Sequence, residues 1–161
     1  MNSALNITDD ATAKYWAALA GVLDPEVPVL NILDLGLVRG LKFLGKDTLE
    51  VALTPTYTGC PATKLIEENV EAALITAGAK SVSIKTQLSP PWTTDWMSAE
   101  GREKLKAYGI APPRLSGEVS IACPQCGSIE VIKVSEFGST ACKALYKCDD
   151  CLEPFDYFKC I

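Results

Sequence analysis

Cys123-Pro124-Gln125-Cys126 and Cys148-Asp149-Asp150-Cys151 are two Cys-x-x-Cys pairs with 21 residues between them, and this spacing narrows the possible folds more than any other feature. Two intervening residues let both thiolates of a pair face one ion while backbone amides donate to the sulfurs. Four soft ligands in a tetrahedron suit Zn²⁺, and the closed shell leaves no position for a substrate. The spacing therefore predicts a structural zinc held by Cys123, Cys126, Cys148 and Cys151. Rubredoxin-like iron, and thiols without metal, are the alternatives. Between the pairs, residues 129–134 and 143–147 read as the two strands of a ribbon joined around Phe137-Gly138-Ser139. A module of about 45 residues buries too little surface to hold itself together, so the metal would supply its folding energy.

Six of the seven cysteines lie after residue 120, which suggests one ordinary core followed by a small stapled module within the 161 residues. The opening residues lack a positive region followed by an apolar stretch, so no signal peptide is expected. No apolar run approaches the roughly 18 residues that span a bilayer. A reducing cytosol is therefore the expected setting, where close cysteine pairs more often bind metal than form disulfides. The net charge of −5 and the lack of a Lys/Arg cluster disfavour nucleic acid as a partner. Histidine is absent, which excludes Ser-His-Asp and Cys-His catalysis and every His-ligated metal site. Any proton transfer would rest on Asp, Glu, Lys, Tyr or Cys.

Along the chain, residues 9–22 read as a helix, with Thr8 as its N-cap and Tyr15, Leu19 and Val22 at helical spacing. Pro25 and Pro28 then break it. Residues 37–43 and 48–54 read as two strands joined by Leu44-Gly45-Lys46-Asp47. A second helix is expected from Pro61 to Gly78, with Ala62, Leu65, Ile66, Val70, Ala73, Leu74 and Ala77 on its buried face. Residues 81–88 alternate like a third strand, parallel to the second across the helical crossover. Ser98 caps a short helix ending at Tyr108, Gly109 follows it, and Ala111-Pro112-Pro113-Arg114 reads as a linker. The reading is an α+β chain: an αββαβ domain over residues 1–115 and a Cys₄ zinc ribbon over 116–161.

Cys60 is the most informative residue outside the ribbon. It follows Thr54-Pro55-Thr56-Tyr57-Thr58-Gly59 and precedes Pro61, at the turn from strand to helix. Unpaired amides and the helix dipole at such a place stabilise a thiolate, and three nearby threonine hydroxyls, those of Thr54, Thr56 and Thr58, can donate to an anion or ligand. Ordinary packing of a small residue is the competing reading. Asp24 and Glu26 flank Pro25 in a rigid bend that could aim a carboxylate at Cys60. Together with Asp34, they also fit a helix stop with solvated charges. Cys142 lies too far along its strand to share the ion of Cys148. With Cys160, and with Cys60, it is a candidate for a second, labile thiolate site, packing again being the alternative.

Asp24-Pro25-Glu26-Val27-Pro28, Asp34-Leu35-Gly36-Leu37-Val38 and Thr56-Tyr57-Thr58-Gly59-Cys60-Pro61 together resemble the metal–sulfur cluster assembly domain of SufT-type iron–sulfur maturation factors, over about residues 10–90. Pro91-Trp92-Thr93-Thr94-Asp95-Trp96, Gly109-Ile110-Ala111-Pro112-Pro113, Phe137-Gly138-Ser139-Thr140-Ala141-Cys142-Lys143 and Glu153-Pro154-Phe155-Asp156-Tyr157-Phe158-Lys159 extend the resemblance over nearly the whole chain. These segments are similar to the family of D components encoded with the phenylacetyl-CoA epoxidase, a multicomponent bacterial monooxygenase of aerobic phenylacetate degradation. The resemblance implies a cytoplasmic maturation role rather than turnover, with Cys60, Asp24 and Glu26 as functional positions and a transient iron or iron–sulfur cluster as cargo. The implied partner is the oxygenase, with its diiron component, or the reductase, with its flavin and iron–sulfur cluster. A stoichiometric structural or catalytic subunit of the oxygenase is the alternative, and a homodimer is left open.

Overall fold

The computed structural model describes residues 10–159. It divides into two compact units, residues 1–92 and 93–161.

In the first unit the order is α1 (Ala13–Leu19), β1 (Val38–Leu44), β2 (Thr48–Leu53), α2 (Thr63–Thr76) and β3 (Ser81–Thr86). This is the expected αββαβ order. β2 is the middle strand, antiparallel to β1 and parallel to β3. Its alternation is clean: Leu49, Val51 and Leu53 are buried, while Thr48, Glu50 and Ala52 are half-buried. The expected alternation of β3 does not appear as burial, because β3 is an edge strand with its middle residues only half-buried.

Helix α2 buries Ile66, Val70 and Leu74. Leu65, expected on the same face, is 45 % exposed. At 100° per residue it lies about 140° around the helix from Val70, off the apolar stripe. Regular helix also begins later than expected, at Thr63, with Pro61 and Ala62 in a turn and no side-chain cap. For α1, the proposed cap Thr8 lies outside the described residues. Its regular part runs only from Ala13 to Leu19, burying Tyr15, Trp16 and Leu19.

Between α1 and β1 the chain forms a compact, self-bonded loop. The Asp24 carboxylate accepts the amides of Glu26 (2.8 Å) and Val27 (2.7 Å) around Pro25. Asn31 Oδ1 accepts the amides of Leu33 and Asp34, and Asp34 Oδ2 accepts that of Asn31. Both are Asx-type turns, in which a short side chain stands in for a backbone acceptor. Two bonds tie this loop to the segments that follow β2 and β3: Thr54 N donates to Leu37 O, and Trp92 Nε1 donates to Leu35 O at 2.7 Å. Gln87 N donates to Leu53 O between the carboxyl ends of the two strands.

The second unit holds a short 3₁₀ turn (Thr94–Trp96), α3 (Ala99–Tyr108), β4 (Ile110–Ala111), β5 (Val131–Ser135), β6 (Lys143–Cys148) and β7 (Pro154–Phe158). Ser98 Oγ accepts the Gly101 amide, and Gly109 closes α3 at φ 89°, a left-handed conformation that glycine adopts without strain. The sheet order is β4-β7-β6-β5, with β4 parallel to β7 and the rest antiparallel.

The expected linker at residues 111–114 is corrected here. Ile110 and Ala111 are buried and pair with Asp156 and Tyr157 of β7, and Pro113 is buried with its carbonyl accepting Arg102 Nη1. The prolines that suggested a linker end a short edge strand, where a missing amide leaves no ladder bond unmade. The ribbon core combines Ala111, Cys123, Ala144, Cys148, Phe155 and Tyr157. Among the described residues no helix is long and apolar enough to cross a membrane.

Candidate functional site

The four ribbon cysteines converge. Cys123 sits in the first knuckle, Cys148 ends β6, and the tight turn at Asp149 and Asp150 brings Cys151 back to the same point. All four sulfurs lie within 4.8 Å of one another. The closest pairs are Cys123–Cys151 at 3.7 Å and Cys126–Cys148 at 3.6 Å. Four sulfurs about 2.3 Å from a central ion stand about 3.8 Å apart in a tetrahedron, so the cage fits a single ion.

The surrounding amides favour anionic sulfur. The amides of Cys151 and then Asp150 donate to Cys148, holding it at about 7. The Glu153 amide donates to Cys151, but desolvation and the neighbouring thiols outweigh it and push Cys151 up to about 12. The Ser128 amide likewise donates to Cys126, while burial and Cys148 carry that thiol upward. Four thiolates this close cannot all ionise without a cation between them, which is the chemistry of a metal-binding group.

A pH dependence follows with a definite sign. Metal binding must displace protons, so affinity falls as pH falls. Below about 7, Cys148 joins Cys151 and Cys126 in having a proton to shed, and the fall steepens there. Titrating metal-loaded protein from pH 8 to 4 against a chromogenic chelator should show little release above pH 7 and rapidly increasing release below it. Release independent of pH would contradict four-thiolate ligation.

In the first unit, Cys60 lies in the loop from β2 to α2, at the carboxyl end of the parallel pair β2–β3, where open α/β sheets commonly place ligands. It is half-buried, two residues before the Ala62 N-cap. Its amide donates to Tyr57 O at 3.4 Å and its carbonyl accepts the Thr63 amide at 3.1 Å. Gly59 at φ 83° turns the chain just before it. Thr56 is half-buried and Thr58 exposed. Glu26 is half-buried; Asp24 is 8 % exposed, and its Oδ1 is engaged by its own turn.

Thr54, the first of the three threonines expected to donate near Cys60, is 1 % exposed, and its hydroxyl has no hydrogen-bond partner among the described residues. Its residue type marks a possible donor, but no sequence pattern marks a hydroxyl left unpaired by packing.

Cys142 is buried just before β6, with Thr140 Oγ1 3.0 Å from its sulfur and its carbonyl accepting the Lys159 amide. β7 folds back along β6 as expected, so Cys142 lies at the ribbon end opposite Cys148. Cys160 lies outside the described residues. Cys60 and Cys142 belong to different units.

An αββαβ domain with a cysteine at its strand-to-helix turn is thus followed by a ribbon whose four cysteines form a metal-binding group, the pattern of a two-module metal-binding protein. Residues 13–86 match the family described as iron–sulfur cluster assembly protein, and residues 111–159 match the PaaD zinc beta ribbon domain. The chain is 50 % identical over 155 residues to a protein of Escherichia coli (strain K12) provisionally named as the D component of 1,2-phenylacetyl-CoA epoxidase, with 92 % of each chain covered. It belongs to that family. It is also 36 % identical over 88 residues to an Fe-S protein maturation auxiliary factor of Porphyromonas gingivalis (strain ATCC BAA-308 / W83), covering 54 % of this chain and 83 % of the relative. The solved structure of a domain of unknown function, DUF59, from Bacillus anthracis superposes with a TM-score of 0.53 at 27 % identity, covering 58 % of this chain and 89 % of that one.

Proposed function

We propose that this chain is an accessory maturation factor that helps assemble or deliver an iron or iron–sulfur centre to the phenylacetyl-CoA epoxidase system. A maturation role is the common theme of the Fe-S maturation relatives and of the cluster-assembly match over residues 13–86. One observation carries the reading to a residue: a half-buried cysteine, Cys60, stands free of the four-sulfur cage, in the loop where β2 hands over to α2. In this reading Cys60 holds the cargo transiently. Thr56 and Thr58 support it by hydrogen bonding, and the acidic bend at Asp24 and Glu26 supplies negative charge.

The ribbon's ion is zinc, held by Cys123, Cys126, Cys148 and Cys151, and it is structural. Soft sulfur donors alone, in a closed tetrahedral shell, suit this ion and leave it no catalytic position. The setting is the cytosol, whose reducing potential keeps the six cysteines among the described residues available as thiols.

The client is tested by deleting the gene and measuring iron in the purified oxygenase and reductase. A metal-poor, weakly active component, rescued by the added protein only together with iron and sulfide, is the expected result. A fully metallated, fully active enzyme from the deletion strain would refute the role. Immediate rescue without added metal would instead identify a stoichiometric component of the oxygenase.

A further inference from the structure

The inner face of the ribbon sheet borders a cavity of about 480 Å³ that belongs to neither thiolate site. Its floor is aromatic: the rings of Tyr146 and Tyr157 meet edge to face at 5.6 Å and 73°, and Ala144 leaves room beside them. One wall is formed by the 3₁₀ turn and the segment after β4, and it is tied together from within. Arg102 donates to the carbonyls of Thr94 and Pro113, Ser116 Oγ donates to Asp95 Oδ2 at 2.6 Å, and the Arg114 amide donates to the Tyr157 hydroxyl at 3.4 Å. A space framed by such bonds exists before any ligand arrives.

The opposite wall carries the charge that selects a ligand. Glu136 accepts Lys133 at 2.9 Å through one carboxylate oxygen and Lys159 at 3.1 Å through the other. Two ammonium groups share one carboxylate, so this wall holds one positive charge in excess. Elsewhere in the lining, Asp95 accepts Ser116, Glu118 accepts the Leu115 amide at 2.8 Å, and Arg114 donates to Val119 O. The lining as a whole is close to neutral, since Arg114, Lys133 and Lys159 balance Asp95, Glu118 and Glu136. Polyphosphates need several uncompensated cations and would meet two carboxylates here, so nucleotides do not fit. A planar apolar body against the tyrosines, with one negative charge beside the lysine pair, does fit.

We propose that this cavity binds an aromatic monocarboxylate, its ring on Tyr146 and Tyr157 and its carboxylate at Lys133 and Lys159. The proposal is independent of the maturation role, because it concerns residues of the second unit that the thiolate sites do not use.

The test is a titration of the metal-loaded full-length protein with 2-naphthoate and with its neutral isostere 2-naphthamide, followed by NMR. Saturable naphthoate binding with a dissociation constant of about 1 mM or tighter is expected for a ligand this small. The amide should bind at least about threefold more weakly, as should naphthoate to Lys133→Gln and to Tyr146→Leu. The Lys133 side chain is 47 % exposed and ends in a surface ion pair, so Lys133→Gln is expected to keep the fold, and retained metal content verifies this for both variants. Absence of saturable binding, equal affinity for acid and amide, or a smaller loss in either variant would overturn the proposal.

Discussion

Replacing Cys148 with serine is expected to remove the ribbon's metal and unfold the sheet β5–β7, leaving the first unit folded. Cys148 is 0 % exposed, ends β6, lies 3.6 Å from Cys126 and is part of the ribbon core. Serine offers a hard, protonated oxygen where a soft anion is needed, which leaves three ligands and an uncompensated cage. Structural zinc binding is worth about 10–16 kcal/mol in small ribbons, as much as or more than the 5–15 kcal/mol stability of a typical domain. The remaining apolar burial of the sheet is concentrated in β7, at Phe155, Tyr157 and Phe158. Val131 and Tyr146 only flank the core, and Ile129, Ile132 and Val134 face solvent, so β5 in particular has little besides the metal to hold it. Metal content should fall from about one ion per chain to near zero. Limited proteolysis should then cut within residues 115–159 while sparing the αββαβ unit, whose core of Leu19, Leu49, Val51, Val70 and Leu74 contains no cysteine. Chelation of the unmodified protein should give the same pattern. A Cys148→Ser variant that kept its metal and its protease resistance would contradict the four-thiolate site.

Cys60→Ser should have the opposite profile, with the fold kept and the function lost. The hydrogen bonds of Cys60 run through its backbone, and the sulfur is half-buried rather than part of a core, so serine fits the same turn. Stability and zinc content should stay within about 0.5 kcal/mol and a few per cent of the parent, the usual range for a substitution outside the core. Iron in the client should nevertheless fall to the level of the deletion strain, because a hydroxyl at neutral pH is a far poorer iron ligand than a thiolate. Client metallation equal to the parent's would remove Cys60 from the mechanism.

The parts of this molecule that were legible in its sequence share a physical trait: they are set by short-range chemistry. The two Cys-x-x-Cys turns place sulfurs through local backbone geometry alone, and they meet within 4.8 Å. Leu49, Val51 and Leu53 alternate because β2 is packed on one face, and Ser98 and Gly109 mark α3 by their capping chemistry. What was not legible depends on partners distant in sequence. Ile110 and Ala111 look like the start of a proline linker until β7, some 45 residues later, offers them a ladder. Leu65 is apolar and near the stripe in sequence, but off it in angle. The orphaned hydroxyl of Thr54 and the cavity over Tyr146 and Tyr157 are products of packing, with no local signature. The turn at Asp24 lies between these cases: Pro25 predicted a rigid bend, but not that the carboxylate would hold the bend by accepting two of its amides.

The most direct test is to prepare the parent protein and Cys60→Ser side by side without oxygen, supply ferrous iron and sulfide, remove the excess, and measure both metals. About one zinc per chain in each, with iron retained by the parent alone, is the predicted result. Equal iron in both proteins, or zinc that disappears together with the Cys60 sulfur, would contradict the separation of a fixed ion in the ribbon from a working thiol at the head of α2.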